Sequence, residues 1–416
     1  MIQFTYRKKL KKKLTGKWNY PGMPNDSGII PKPNLMKAQE FFMAINPWSG
    51  HPELLEAPNV QWLADSDPDY SLLFENVPYN GSMARVFAYY SIPKAYSGKI
   101  PAMVLLHGGG GAAYQGWAQQ WAGYGYAAIA VDMAGQGPDG GLMPDGRPQD
   151  YTNYDISQGE LEDSWWFHAV AAAMRAISFL QSRGEVDSSK IGIYGISMGG
   201  IISSITMGVD ASRIQLGVPV YASGYMFENT FFSRNNYIFS EPYKTGIDAS
   251  NYLQNINFPT FWVSNNLDDY IPLSIFQKNR LMTPGENRAR IEDNFGHSHE
   301  VPWACEDIRR FVDAYFMGAP AYPRIASSGV SNGSIWAYLE GPAQLFSAEI
   351  VYTADPLWMY KGTGTDGDDI WVAEKAAVTD PAAGYASAVI PGNSTGCYLN
   401  LRDTGGRLIS TDYYTI

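Results

Sequence analysis

Continuous apolar runs at 102–106, 126–133, 191–194, 216–221 and 260–263 alternate with helix-patterned stretches through the middle of this 416-residue chain. A strand that is apolar on both sides of its pleat must be covered on both faces, and helical crossovers between such strands supply that cover. The pattern therefore predicts a mostly parallel sheet with helices on both faces, with helical segments at 114–124, 160–182, from Met198, and at 303–316. Two shorter runs, 71–77 and 85–92, are separated by Pro78, Asn80 and Gly81 and read as an antiparallel start to the sheet.

The rhythm breaks twice. Residues 223–257 are aromatic and Asn-rich and read as a lid or insertion beside a site. After Gly318 only short alternating runs remain (335–339, 348–352, 370–373, 385–390, 398–401 and 408–413), separated by Gly, Pro and Asp turns, which predicts an all-β sandwich. The length exceeds the usual limit of about 250–300 residues for one core. The expected organisation is a tail and lead segment at 1–68, an α/β domain at 69–320 and a β-sandwich domain at 321–416.

Charge excludes some functions. Residues 1–17 hold seven of the 30 Lys and Arg and no acid, so the other 23 face all 41 Asp and Glu, a balance of −18. Such a body repels nucleic-acid phosphate and anionic membrane. No run of 18 apolar residues occurs, so no membrane-spanning helix is expected and the chain reads as soluble. The basic N-terminus lacks the apolar segment of a signal peptide and reads as a disordered tail, or as the remnant of an export signal; the compartment and the oligomeric state stay open. Cys305 and Cys397 read as two buried thiols.

The sharpest local signal is Gly195-Ile196-Ser197-Met198-Gly199-Gly200, between a strand and a helix. A serine on such a tight turn has its hydroxyl pushed out above the sheet, and the flanking glycines are needed where side chains would clash. Ser197 is the candidate nucleophile. His107-Gly108-Gly109-Gly110-Gly111 ends the 102–106 strand, and a glycine run lets backbone N–H groups converge where an oxyanion develops. Gly109 or Gly110, beside the Met198 amide, is the expected donor pair. The run is not a phosphate loop, because no Lys-Ser/Thr follows and Tyr114 stands where a third glycine would be.

A serine at its ordinary pKa needs a base, and the base needs an acid. Of the five histidines only His297 and His299 lie downstream of both Ser197 and an acid at a strand end, as the chain order Ser, acid, His requires. His297 is favoured by its loop placement, with His299 as the alternative lining the pocket. Asp268 and Asp269 compete for the acid in the loop after 260–263; Asp268, four residues before Pro272, is favoured. His168 reads as a helix-packing residue, Asp132 as loop architecture, and Asp366, Asp368 and Asp369 as a turn rather than a calcium loop. No Cys/His cluster has zinc spacing, and no metal or cofactor is called for.

Residues 70–320 resemble the α/β-hydrolase superfamily, in detail the bacterial proteins described as acetylxylan esterase-like or dienelactone hydrolase-like. The resemblance rests on His107–Gly111, Asp132-Met133-Ala134-Gly135 with Gly137-Pro138, His168-Ala169-Val170, Val186-Asp187 through Gly200, Val218-Pro219-Val220-Tyr221, Asp268–Leu273, and His297-Ser298-His299 with Trp303. Asn265 replaces a glycine usual three residues before the acid, and Met198 a frequent aromatic after the nucleophile. The C-terminal sandwich is similar to a β-module appended in that group. The resemblance implies a serine esterase that removes short acyl groups from carbohydrate such as xylan, with a small ester or oligosaccharide ester as its partner. Two other readings are a prolyl oligopeptidase-like peptidase, which would have a larger N-terminal propeller, and an inactive, carbohydrate-binding homologue.

Overall fold

The computed structural model describes residues 46–66, 68–268, 270–292, 297–355 and 371–416. A helix-patterned stretch of the lead segment at 35–45, the alternative acid Asp269 and the Asp366–Asp369 turn lie outside them.

The main sheet runs β1 (Val60–Ser66), β2 (Asp69–Tyr79), β3 (Ser82–Ser91), β4 (Ile100–Leu106), β5 (Ala127–Val131), β6 (Val186–Ile196), β7 (Leu216–Val220), β8 (Thr260–Asn265) and β9 (Asn287–Glu292) in the chain. In space the order is β1-β2-β3-β5-β4-β6-β7-β8-β9. The first four strands in that order are antiparallel neighbours and the rest pair in parallel. Every residue of β4, β5, β7 and β8 is buried, as the unbroken apolar runs require. The β2–β3 hairpin closes on Asn80-Gly81, both with positive φ (51° and 75°), which matches the twist of the strands it joins.

Crossover helices cover the sheet. The helix Trp165–Ser182 is capped by the Ser164 side chain, which accepts from the Phe167 N–H, and it is buried from Trp165 through Leu180. His168 lies inside it, 2% exposed, where burial and the nearby Arg147 charge push its pKa down to about 4. The 223–257 segment contains no strand but a run of short helical turns around Asp248, whose buried carboxylate accepts from the Tyr225, Met226 and Ser250 N–H groups.

Strand β1 is a difference from the sequence reading, which placed a lead segment there. It is an edge strand with Trp62 and Leu63 exposed, so no buried face imposes a period-2 pattern on it. Strand β10 (Arg324–Ser331) is a second addition, for the same reason: it too is an edge strand, rich in serine and only partly buried.

The C-terminal strands continue as β11 (Ser334–Glu340), β12 (Leu345–Thr353), β13 (Val372–Asp380), β14 (Tyr385–Val389), β15 (Gly396–Asp403), β16 (Leu408–Ser410) and β17 (Tyr414–Thr415). They form an antiparallel ladder in the order β10-β11-β14-β13-β12-β15-β16. The first half of β13 pairs with β12 and its second half with β14, so the ladder folds over on itself into a near-barrel. Ile335, Ala337, Ile350, Leu399 and Leu401 fill its own core. Val351, Trp371 and Tyr398 instead join the core of the main sheet, and the described residues from 46 onward form one compact unit.

This docking also covers the outer edge of β9. The Ser410 hydroxyl oxygen accepts from the Ile291 N–H at 2.7 Å, and Asn400 Nδ2 donates to the Ile291 carbonyl at 3.1 Å. An open edge would leave these backbone groups unpaired. Removing one side chain strands a buried backbone partner at a cost of about 1–3 kcal/mol. Asn400→Leu and Ser410→Ala are each expected to lower the denaturant midpoint accordingly, and wild-type midpoints in both variants would contradict this role.

Candidate active site

The candidate site lies above the ends of the parallel strands, and its centre is the turn between β6 and the helix Met198–Val209. Ser197 occupies φ 56°, ψ −116°, a region that costs a non-glycine residue on the order of 1–3 kcal/mol. Its neighbours make the turn possible. A Cβ at Gly195 would collide with the Gly199 carbonyl, one at Gly199 with the Leu106 carbonyl, and one at Gly200 would come within 2.5 Å of the Val220 carbonyl. Backbone packs on backbone, and the Ser197 N–H donates to the Val220 carbonyl at 2.8 Å.

The structure brings Ser197, His297 and Asp268 into one hydrogen-bonded row. Ser197 Oγ lies 2.8 Å from His297 Nε2, and His297 Nδ1 lies 2.9 Å from Asp268 Oδ2. Asp268 follows β8, with its side chain fully buried, and its Oδ1 accepts from the Tyr270 and Ile271 N–H groups at 2.8 and 3.0 Å. These two donors fix the direction of the buried carboxylate. One flank of His297 is covered by Tyr221, stacked at 4.5 Å and 24°, and Tyr270 stands tilted at 4.9 Å.

The glycine run lies beside the serine. The Gly110 N–H, one of the expected oxyanion donors, is committed to Gln149 Oε1 at 2.9 Å. The Gly108 N–H donates to His299 Nε2 at 2.7 Å, and the Gly111 N–H to the Gly108 carbonyl at 3.0 Å. Among the described residues, the Gly109 and Met198 N–H groups have no such acceptor. Both residues line the cavity that contains Ser197. His299 does not reach toward Ser197 as a competing base would; its Nε2 is taken by Gly108.

His107 is fully buried. Its Nε2 accepts from the Met133 N–H at 2.8 Å, so the ring proton sits on Nδ1 and donates to the Gly108 carbonyl at 2.7 Å. Burial holds its pKa down to about 4. Asp132 is architectural: its carboxylate accepts from the Ala134, Gln136 and Ala113 N–H groups.

The cavity over Ser197 has a volume of about 380 Å³. Tyr151, Tyr154, Phe231, Phe232, Tyr237 and Tyr270 give it an aromatic wall. Sequence reasoning missed Gln149 and Tyr151, which come from loops with no motif and reach the site only through tertiary packing, and it gave Tyr221, directly after β7, no role at the site. Among the described residues no cluster of His, Cys, Asp and Glu is arranged to hold a metal ion, and no helix is long and apolar enough to cross a membrane.

Residues 63–231 match the acetyl xylan esterase family. Among solved structures, the acetyl xylan esterase from Paenibacillus sp. R4 is 23% identical with a TM-score of 0.53, covering 69% of this chain and 100% of its own. Acetyl xylan esterase 1 from Thermoanaerobacterium sp. JW/SL YS485 is 17% identical with a TM-score of 0.52, covering 69% and 96%. At these identities the structures establish a common α/β-hydrolase fold, and the family match supports a carboxylic-ester hydrolase.

The two buried neutral histidines generate a pH dependence. His107 and His168 have folded pKa values depressed to about 4 from an ordinary 6.5, so between these limits the unfolded chain binds more protons. Their stabilising contribution is complete above pH 6.5 and is lost as pH falls toward 4, at up to roughly 1.4 kcal/mol per pH unit for each ring. His168→Leu is expected to flatten the acid side of a stability-against-pH curve by about one such slope. A curve parallel to that of the wild type would contradict the assignment.

Proposed function

We propose that this protein is a serine esterase that removes acetyl groups from xylan-type carbohydrate through an acyl-enzyme on Ser197. The observation that carries the proposal is the continuous row from Ser197 Oγ through both nitrogens of His297 to the buried Asp268 carboxylate. The acetyl xylan esterase match over residues 63–231 supports the substrate class.

In the proposed reaction Ser197 Oγ bonds to the ester carbonyl carbon while its proton passes to His297 Nε2. Asp268 holds the Nδ1–H tautomer and stabilises the imidazolium that forms. The negative charge develops on the carbonyl oxygen, where the Gly109 and Met198 N–H groups are available to donate. Collapse breaks the bond to the sugar oxygen, which leaves with the proton held by His297. Water then adds to the acyl-enzyme with His297 again as base, and acetate and free Ser197 are released.

The aromatic wall suits the C–H faces of a pyranose ring, which stack on aromatic side chains while ring hydroxyls stay available for hydrogen bonds. A purely carbohydrate-binding homologue would have no use for a strained serine aligned on a histidine and a buried carboxylate, so the row weighs against that reading.

Ser197→Ala is expected to abolish both fluorophosphonate labelling and acetate release from acetylated xylo-oligosaccharides. Asp268→Asn keeps the shape but offers the imidazole a donor in place of an acceptor, and should lower kcat about 10⁴-fold. Activity surviving in Ser197→Ala would rule out the proposed nucleophile, and a near-wild-type kcat in Asp268→Asn would rule out the proposed acid.

A further inference from the structure

Oxyanion stabilisation depends on where a backbone N–H points, and a glycine run does not hold a direction by itself. Gly108 is held at both of its polar groups, and its carbonyl belongs to the peptide that joins it to Gly109. The Gly108 carbonyl accepts from His107 Nδ1–H at 2.7 Å and from the Gly111 N–H at 3.0 Å, both within the loop. In a planar trans peptide the N–H of the next residue points opposite to that carbonyl. The Gly109 N–H is thereby turned away from the donors that hold the Gly108 carbonyl, and Gly109 lines the same cavity as Ser197 and Met198.

The other end of Gly108 is fixed by a residue from the far side of the site. The Gly108 N–H donates to His299 Nε2 at 2.7 Å. A backbone N–H can only donate, so Nε2 carries the lone pair and His299 is neutral with its proton on Nδ1. The ring is set by Tyr114 and Trp303, with centroids at 5.2 and 6.0 Å. The approach is close: a Cβ at position 108 would stand 3.1 Å from His299 Nε2 and 3.2 Å from the Ile196 carbonyl, so either partner would have to shift by a few tenths of an ångström. Burial, with His107 and His297 nearby, holds the His299 pKa below its ordinary value, while Glu300 opposes this.

We propose that His299 is a positioning residue for the oxyanion hole: its Nε2 anchors the Gly108 N–H and so holds the Gly109 N–H on the oxygen that becomes charged. His299 stands two residues after His297, so one loop carries both the base and the anchor of the hole. A shift of this loop moves both together. The inference rests on the proposed esterase reading.

The test compares His299→Phe, which keeps a ring and removes the acceptor, with His299→Gln, whose Oε1 restores an acceptor at similar reach. Each protein is checked for its thermal melt and titrated to end point with a fluorophosphonate, so that rates refer to competent Ser197. His299→Phe is expected to lose about 10²-fold in kcat on an acetyl ester with KM nearly unchanged, and to lose affinity for phenylboronic acid, a tetrahedral mimic, in parallel. His299→Gln should recover most of both losses. A wild-type kcat in His299→Phe, equal losses in the two variants, or a loss confined to KM would overturn the anchor while wild-type labelling of Ser197 leaves the esterase reading standing. If the wild type itself fails to label, the esterase reading falls and the inference falls with it.

Discussion

The site depends on one strained residue held by close backbone packing. Ser197 at φ 56° and ψ −116° is stable only because Gly195, Gly199 and Gly200 let the β6 turn press against the Gly199, Leu106 and Val220 carbonyls. The Leu106 and Val220 carbonyls belong to β4 and β7, the neighbours of β6 in the buried centre of the sheet, and the Gly199 carbonyl to the helix that follows the turn. The cost of the turn, about 1–3 kcal/mol, is carried by a core that has no room to relax. Placing the serine there also decides where its partners must arrive. Asp268 follows β8 and His297 follows β9, on the same side of the sheet and successively further from β6.

The two loops that bring these partners are supported from below by the C-terminal strands. Asn266, two residues before Asp268, donates from Nδ2 to the Tyr398 hydroxyl at 3.1 Å. Ile291, near the end of β9, is held at both backbone groups by Ser410 and Asn400. Leu408 donates its N–H to the Asp307 carboxylate, which also pairs with Arg290 of β9. The second sheet thus closes the edge of the first where the acid and base loops begin, and its contacts are polar and specific as well as apolar.

Much of this was legible in the residues. The central strands are visible because burial on both faces selects apolar residues along most of their length, and the serine turn is visible because its glycines stand at fixed offsets from a strand and a helix. Ser197, Asp268 and His297 follow as candidates from chain order, and the structure brings those three together. Edge strands β1 and β10 were not legible, since neither has a buried face to impose an alternating pattern. The commitment of Gly110 to Gln149, the stacking of Tyr221 on His297 and the bond between His299 and Gly108 were invisible for another reason. Each joins residues far apart in the chain, and no local spacing encodes the meeting.

The central claim is that Ser197 becomes covalently acylated during turnover, and rapid-quench mass spectrometry tests it most directly. Enzyme mixed with an excess of p-nitrophenyl acetate and quenched in acid within milliseconds should carry one acetyl group, located on the peptide containing Ser197, and the adduct should vanish as substrate is exhausted. Rapid hydrolysis with no acetyl on that peptide at any quench time, or an acetyl on a different residue, would contradict the account.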